Sequence, residues 1–127
     1  IHKLKTSITQ IKHISTGESV GYDQAFVATE DMKIATIAIG YADGIHRYLG
    51  NGQYSMLIHG KAAPVIGKIC MDMLMLNIND IDCIEGDEVI VFENQQHIKQ
   101  MASIGNTIPY EILTGISQRV KRVYFKE

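Results

Sequence analysis

Three chemically different side chains, Cys70, Met71 and Asp72, stand at the end of an apolar, strand-like run over residues 63–72. A strand with a purely structural role normally closes on turn residues, so this ending indicates a surface presented to a ligand. The backbone amides and the Asp72 carboxylate are suited to orienting a small amino acid. Cysteine and methionine are also common core fillers, and local composition alone favours burial. Both interpretations stay open on these residues alone.

Tyrosine placement gives a second signal. Tyr22, Tyr41 and Tyr110 each sit beside glycine or proline at the end of an apolar run, where a strand passes into a loop. A phenol at such an edge can reach a ligand. Tyrosine also prefers half-buried strand ends where the ring packs and the hydroxyl stays in water, so packing is the alternative explanation for each of them.

The segment IGYADG, residues 39–44, is followed by Arg47. Its glycines permit a close approach of backbone. We expect Asp43 to cap the turn rather than to take part in catalysis, because aspartate commonly bonds to nearby backbone amides in turns. Arg47 is a candidate anion contact.

Several site types lack their sequence pattern. The five histidines are dispersed with no i, i+4 pair, so the sequence predicts no metal site. Ser117 is not flanked as a nucleophile elbow, and no glycine-rich phosphate loop precedes a helix. We therefore do not expect a hydrolase or a nucleotide-binding protein.

The elements that must hold these residues are mostly short strands separated by Gly, Asn and Asp turns, a pattern typical of a closed barrel or sandwich. We predict a mainly β fold, a closed β-barrel with one or two short helices, forming a single domain over residues 1–127. The predicted strands cover residues 4–14, 26–29, 33–39, 54–58, 63–66, 70–78, 88–92 and 119–125. Helical periodicity is confined to residues 96–104 and to a second helical turn within 108–116.

Composition narrows the class of protein. Hydrophobic residues make up 46% of the chain without a run long enough for a membrane span, and the formal charge of −2 offers no basic surface for nucleic acid. Two cysteines form neither a disulfide framework nor a metal pattern, which favours a cytoplasmic protein. The first residue is Ile1, and strand-like sequence follows at once, so we expect a piece of a larger protein.

Four ordered motifs together resemble the carboxy-terminal domain of the alanine racemase family. They are IGYADG at 39–44, APVIGKICMDM at 63–73, EGDEVIVF at 85–92 and IPYEILTGISQRVKRVY at 108–124. The likeness spans nearly the whole chain, and four motifs in order are far more specific than any one of them.

The resemblance implies an isomerase that interconverts L- and D-alanine for peptidoglycan. In that family an amino-terminal TIM barrel carries pyridoxal 5'-phosphate on a lysine, and the β domain caps the active site of the partner subunit in a head-to-tail homodimer. The implied partners are therefore a small amino-acid substrate and the TIM barrels of the same chain and of a second subunit. Because the lysine-bearing barrel is absent, we expect the isolated 127-residue chain to be inactive.

By the same resemblance, Tyr22 in SVGYDQAF matches the catalytic tyrosine, the base for the L face, although Asp-Gln-Ala-Phe follows it where the family usually shows Gly-Arg or Gly-Ala. Tyr41 matches the tyrosine that lines the substrate entrance of the family. Arg47 resembles an arginine that lines the same entrance. Tyr110 matches the tyrosine that binds the cofactor phosphate.

Cys70, Met71 and Asp72 match the segment that faces the substrate, where the methionine backbone amide is implied to hold the carboxylate. Lys68 stands where some members have arginine. Lysine keeps the positive charge but lacks the planar guanidinium, which can donate two parallel hydrogen bonds. Two alternatives stay open: a non-catalytic barrel module for dimerisation or scaffolding, and a racemase for serine or another small amino acid. A fusion behind a Mur-type ligase is also compatible with the sequence.

Overall fold

Eight strands and two short helices form the regular structure of the computed structural model, which describes residues 3–20, 26–118 and 120–121. The strands are β1 (Leu4–Ile14), β2 (Ser19–Val20), β3 (Phe26–Val27), β4 (Met32–Ile37), β5 (Ser55–Ile58), β6 (Lys61–Ile66), β7 (Leu74–Asn77) and β8 (Glu88–Phe92). The helices are α1 (Gln95–Ile104) and α2 (Pro109–Thr114), and two 3-10 turns cover Tyr41–Asp43 and Arg47–Leu49.

Six strands close into an antiparallel barrel in the order β1-β4-β7-β6-β5-β8, which confirms the predicted fold class. Closure depends on the length of β1. Its first residues pair with β8 and its later residues with β4. Register shifts between Leu4 and Lys5 and between Ile8 and Gln10 mark irregularities of the kind that bend a strand around a barrel.

The barrel interior is filled by branched aliphatic and methionine side chains from every strand of the barrel. Its members include Leu4, Ile8, Ala35, Ile37, Met56, Ile58, Ala63, Val65, Leu74, Leu76, Val89 and Val91. Helix α1 begins after Asn94, whose side chain accepts a 2.9 Å hydrogen bond from the His97 N–H. Helices α1 and α2 add Ile98, Met101, Ala102 and Ile112 to the same core. No helix in the described ranges is both long and apolar enough to cross a bilayer.

A second apolar cluster, called the outer cluster here, forms separately from the barrel core. Its buried members are Ile14, Val20, Ala28, Met32, Ile34, Ile66 and Met75, and Phe26 and Met73 pack against them. Neighbouring residues on β4, β6 and β7 divide between the two clusters, so these strands are apolar on both sides. The hairpin of β2 and β3 covers the side that would otherwise face water.

The structure corrects two strand predictions and adds one strand. Within 70–78 only Leu74–Asn77 is strand, because the Cys70 N–H bonds the Met73 carbonyl oxygen at 2.9 Å and makes a turn of residues 70–73. Strand β2 was not predicted. Residues 120–121 are not in a strand, and the rest of the predicted run 119–125 lies outside the described residues.

Candidate functional site

Two of the sequence motifs meet through their backbones. The Tyr41 N–H donates to the carbonyl oxygen of Cys70 at 3.0 Å, and the Ala42 N–H donates to the carbonyl oxygen of Met71, also at 3.0 Å. Tyr41 begins the first 3-10 turn, just beyond β4, and Cys70 begins the turn that leads into β7. Because β4 and β7 are neighbours in the barrel, their connecting segments are held side by side.

Gly40 makes this close approach sterically feasible. A Cβ at this position would overlap the carbonyl oxygens of Cys70 and Met71, which are backbone atoms and cannot rotate away. The Gly40 N–H in turn donates to Oδ2 of Asp43 at 3.0 Å, and Asp43 is buried. The prediction that Asp43 caps this turn is confirmed.

The pairing also sets the direction of a backbone donor. The peptide that joins Cys70 to Met71 is trans, so its carbonyl and its N–H point in opposite directions. Since the Cys70 carbonyl points toward the Tyr41 backbone, the Met71 N–H points away from it. The Met71 side chain is 54% exposed and Asp72 is exposed, whereas Cys70 is half-buried. The core-filling interpretation is therefore wrong for Met71.

Arg47 and Tyr41 lie on the same side of their segment. The guanidinium carbon of Arg47 is 5.8 Å from the centroid of the Tyr41 ring, within the range of a cation–π contact. Leu49, at the end of the second 3-10 turn, is fully buried and anchors that turn in the barrel core. A positive charge and an exposed phenol are thus presented next to the Met71 segment.

His46 and Tyr48, the neighbours of Arg47, were not singled out from the sequence. Their rings stack with centroids 5.0 Å apart and planes 5° from parallel. Gly105, after α1, closely approaches the Tyr48 ring, and burial, with the nearby Glu111 carboxylate, raises the pKa of Tyr48. The only sequence signal was an aromatic side chain on each side of Arg47. The stack joins the Arg47 turn to the helical region.

Tyr110 lies in α2 and is 68% exposed, while Ile112 of the same helix is fully buried. The chain after α2 is tied to the Tyr41 segment, since the Ser117 N–H donates to the Asp43 carbonyl oxygen at 3.1 Å. Within the described part of the chain, no ring stacking or cation–π contact joins Tyr110 to Tyr41. The Ser117–Asp43 bond therefore connects the chain after α2 to the segment that carries Tyr41.

The predicted catalytic residue Tyr22 lies outside the described residues, as do all of residues 21–25. The residues flanking that segment are described: Ser19 pairs with Val27, and Val20 pairs with Phe26. Across the described ranges, no three His, Cys, Asp or Glu side chains are grouped closely enough to hold a metal ion.

Residues 1–124 match the family model described as alanine racemase, C-terminal domain. The alanine racemase of Helicobacter pylori strain J99 is 42% identical over 125 residues, which are 95% of this chain and 33% of that protein. Alanine racemase 1 of Caldanaerobacter subterraneus is 39% identical over 128 residues, covering 97% of this chain and 33% of that protein. The chain therefore spans about a third of the length of the curated relatives it matches.

Solved structures of alanine racemases also match this chain over about a third of their own length. The alanine racemase of Bartonella henselae with covalently bound pyridoxal phosphate superposes with a TM-score of 0.90 at 35% identity, over 97% of this chain and 34% of that one. The alanine racemase of Clostridium difficile 630 also gives a TM-score of 0.90, at 43% identity, over 97% of this chain and 32% of that one.

Proposed function

Because the chain belongs to the alanine racemase C-terminal domain family, we propose that it is the C-terminal β domain of an enzyme that interconverts L-alanine and D-alanine. The enzyme is a pyridoxal-phosphate-dependent isomerase, and its D-alanine serves peptidoglycan synthesis. Residues 1–127 form one domain of it, and the lysine-bearing TIM barrel precedes them. The two free thiols, Cys70 and Cys83, support a cytoplasmic location.

The observation that carries the proposal is the pairing of the Tyr41 and Cys70 segments. The backbones of these two segments are fixed by the pairing, and Tyr41, Met71 and Asp72 are exposed on them. Exposed side chains on a fixed backbone can act on a ligand that another domain holds.

Each residue then has a defined task. The Met71 N–H, directed away from the Tyr41 backbone, donates to the substrate carboxylate, and Cys70 and Asp72 shape the same contact. Arg47 and Tyr41 line the entrance, where the guanidinium charge attracts the carboxylate of the amino-acid substrate. The Tyr22 phenol exchanges a proton with the α-carbon on the L face, which requires cationic neighbours that lower its pKa from about 10.

Tyr110 fits the phosphate end of the cofactor. Its side chain is 68% exposed on a helix anchored by Ile112, so the phenol can donate to a phosphate oxygen supplied by another domain. When bound, pyridoxal phosphate acts as an electron sink that makes the α-hydrogen acidic enough to remove. This chain contributes the phenols and the backbone donor, and the lysine belongs to the barrel.

Exposed apolar residues are compatible with the proposed partners. Met71, Ile108 and Tyr110 are 54%, 61% and 68% exposed, so they are available for contact with another domain. We assign them to contact with the TIM barrel of the same chain and of a second subunit in a homodimer.

Substitution of Tyr22 by Phe in the full-length protein tests the proposal. Loss of a general base lowers turnover by roughly 100- to 10,000-fold. Racemisation is followed by the optical rotation of alanine, and size-exclusion chromatography reports whether the dimer persists. Tyr54→Phe is the matched control, because its hydroxyl bonds the Val91 carbonyl inside the barrel and removal of it leaves turnover near the wild-type value.

A Tyr22→Phe enzyme with undiminished turnover would support the scaffold alternative instead. The isolated 127-residue chain should form no borohydride-reducible yellow adduct with pyridoxal phosphate and should release no D-alanine. Comparing kcat/KM for alanine and serine in the wild-type enzyme decides the substrate, with alanine expected to be preferred.

A further inference from the structure

The chain that follows helix α2 is held against the chain that follows the first 3-10 turn. Gly44, the residue after that turn, has φ +104°, and a Cβ on it would overlap the carbonyl oxygen of Gly115 and the Cα of Ile116. Beside this approach, the Ser117 N–H donates to the Asp43 carbonyl oxygen at 3.1 Å. These backbone contacts fix the carboxyl end of α2 against the segment that leads to Arg47.

Two aromatic rings add side-chain contacts to both helices. The His46 Nε2 atom lies 3.4 Å from the position that a Cβ on Gly115 would take, at the end of α2. A Cβ on Gly105, at the end of α1, would overlap the Tyr48 ring. Since the two rings stack with centroids 5.0 Å apart, the stacked pair reaches from the end of one helix to the end of the other.

Packing, and not hydrogen bonding, holds the stacked pair in place. Among the described residues, neither His46 Nε2 nor the Tyr48 hydroxyl oxygen has a hydrogen-bond partner, although both atoms are buried. Removing the Tyr48 hydroxyl therefore costs the stack no hydrogen bond, whereas removing the ring removes its contacts. Arg47 lies between the two rings in the sequence and is exposed, with its guanidinium carbon 5.8 Å from the centroid of the Tyr41 ring.

Helix α2 needs outside contacts to keep its place. It has six residues, too few for a helix that is stable by itself in water. Its N-cap residue, Ile108, supplies no side-chain hydrogen bond, and its buried residue is Ile112. Tyr110, in the first turn, is 68% exposed, so the position of its hydroxyl follows the position of the helix.

We infer that His46 and Tyr48 are positioning residues, whose stacked rings hold helix α2, and with it Tyr110, in place beside the turn that carries Arg47. The inference rests on the proposed function, in which Tyr110 donates to the cofactor phosphate and Arg47 lines the entrance. Loss of the Tyr48 ring should therefore weaken cofactor binding through Tyr110, although the Tyr48 hydroxyl is buried inside the domain.

The cofactor affinity of the full-length enzyme tests the inference. After removal of bound cofactor, the dissociation constant for pyridoxal phosphate is measured by equilibrium dialysis. Tyr110→Phe removes a hydrogen bond to a charged group and should raise Kd by roughly 10- to 100-fold. Tyr48→Leu should raise Kd by roughly 10-fold, as expected when that bond is weakened. Tyr48→Phe keeps the ring and should stay within about twofold of the wild type.

A double variant separates a positioning role from general destabilisation. Tyr48→Leu combined with Tyr110→Phe should bind the cofactor as Tyr110→Phe alone does, because no hydroxyl is left to misplace. Gly105→Ala, whose Cβ would displace the Tyr48 ring, should raise Kd in the same direction as Tyr48→Leu. The matched control is Tyr54→Leu, the same substitution in the barrel core, which should leave Kd unchanged.

Amide hydrogen exchange gives a second readout that needs no cofactor. The Gly115 N–H donates to the Glu111 carbonyl oxygen at 3.0 Å in the last turn of α2. In the full-length protein without pyridoxal phosphate, this amide should exchange faster in Tyr48→Leu than in the wild type, and the amides of β7 should be unchanged. In Tyr48→Phe both should match the wild type.

Tyr110→Phe separates the two proposals. If it weakens cofactor binding while Tyr48→Leu does not, or if Tyr48→Leu weakens binding further in the double variant, the positioning role is wrong and the proposed function stands. If Tyr110→Phe leaves Kd unchanged, the proposed task of Tyr110 and the positioning role are both wrong. Unchanged exchange at Gly115 in Tyr48→Leu also overturns the positioning role.

Discussion

The backbone N–H of Tyr41 donates a 3.0 Å hydrogen bond to the carbonyl oxygen of Cys70, and this bond joins two motifs far apart in the sequence. It turns the next N–H, that of Met71, in the opposite direction. In the proposed function, the donor to the substrate carboxylate is therefore oriented by a bond that takes no part in the chemistry. Such backbone placement loses no side-chain entropy, which makes it a rigid way to bind a carboxylate.

Gly40→Ala should separate the two segments. Its Cβ would meet backbone oxygens that cannot move aside, so we expect a loss of about 1–3 kcal/mol in the free energy of unfolding, typical of overpacking. Turnover of the full-length enzyme should fall with it. Urea unfolding of the 127-residue chain and a racemisation assay measure the two effects. Gly86→Ala, strained at φ +94° in open space, should lower stability and leave turnover intact. Equal turnover in the two variants would contradict the prediction.

Arg47→Gln should raise KM for alanine. The substitution removes the charge beside the proposed entrance and the contact with the Tyr41 ring. Such a contact is worth about 0.5–1 kcal/mol at an exposed site, or roughly a 2- to 5-fold effect. We expect kcat to change little, because in the proposed function the contact serves substrate entry and not proton transfer. Lys61→Gln makes the same change in charge at an exposed position on β6. If Lys61→Gln raises KM as much as Arg47→Gln does, the effect comes from the net charge of the protein and not from the position of Arg47.

Removing the hydroxyl of Tyr54 and that of Tyr48 should have different effects on the free energy of unfolding. The buried Tyr54 hydroxyl donates to the Val91 carbonyl oxygen, so Tyr54→Phe should cost about 1–3 kcal/mol by leaving that oxygen unpaired. The Tyr48 hydroxyl oxygen is buried with no hydrogen-bond partner in the described part of the chain, so Tyr48→Phe should be neutral or stabilising. Urea denaturation midpoints compare them directly. A destabilised Tyr48→Phe would reveal a partner for that hydroxyl.

Stability should depend on pH through Asp87. Hydrogen bonds from the Ile84 N–H and from His59 hold the pKa of Asp87 below its ordinary value. A carboxyl whose pKa is lower in the folded state stabilises at pH values above its unfolded pKa of about 4, and this stabilisation is lost as the pH falls through the folded value. Asp87→Asn should therefore lower Tm at pH 7, and the difference from wild type should shrink in acid. Asp82→Asn, in the same connector and exposed, should show little difference at any pH.

Much of the fold was readable because its signals are local. Strands β1 and β8 were predicted with their observed bounds, and helix α1 within one residue, since each is set by alternating or helical periodicity between turn residues. Residues 70–73 were wrongly predicted as a strand. They form a turn that is hydrogen-bonded to the segment after Gly40, and an apolar run carries no local feature that reveals such a distant partner. Strand β2 is two residues long, too short for periodicity to register.

The sequence alone determined the residue types of the site, the mainly β class and the turn role of Asp43, because composition, periodicity and capping chemistry act between near neighbours. Tertiary structure decided that Tyr41 lies against Cys70, that Met71 is exposed, and that neighbouring positions on β4 belong to separate cores. These facts depend on barrel closure, in which β1 pairs with both β4 and β8. Contacts between residues far apart in the chain depend on how the whole domain packs, so no local sequence pattern predicts them.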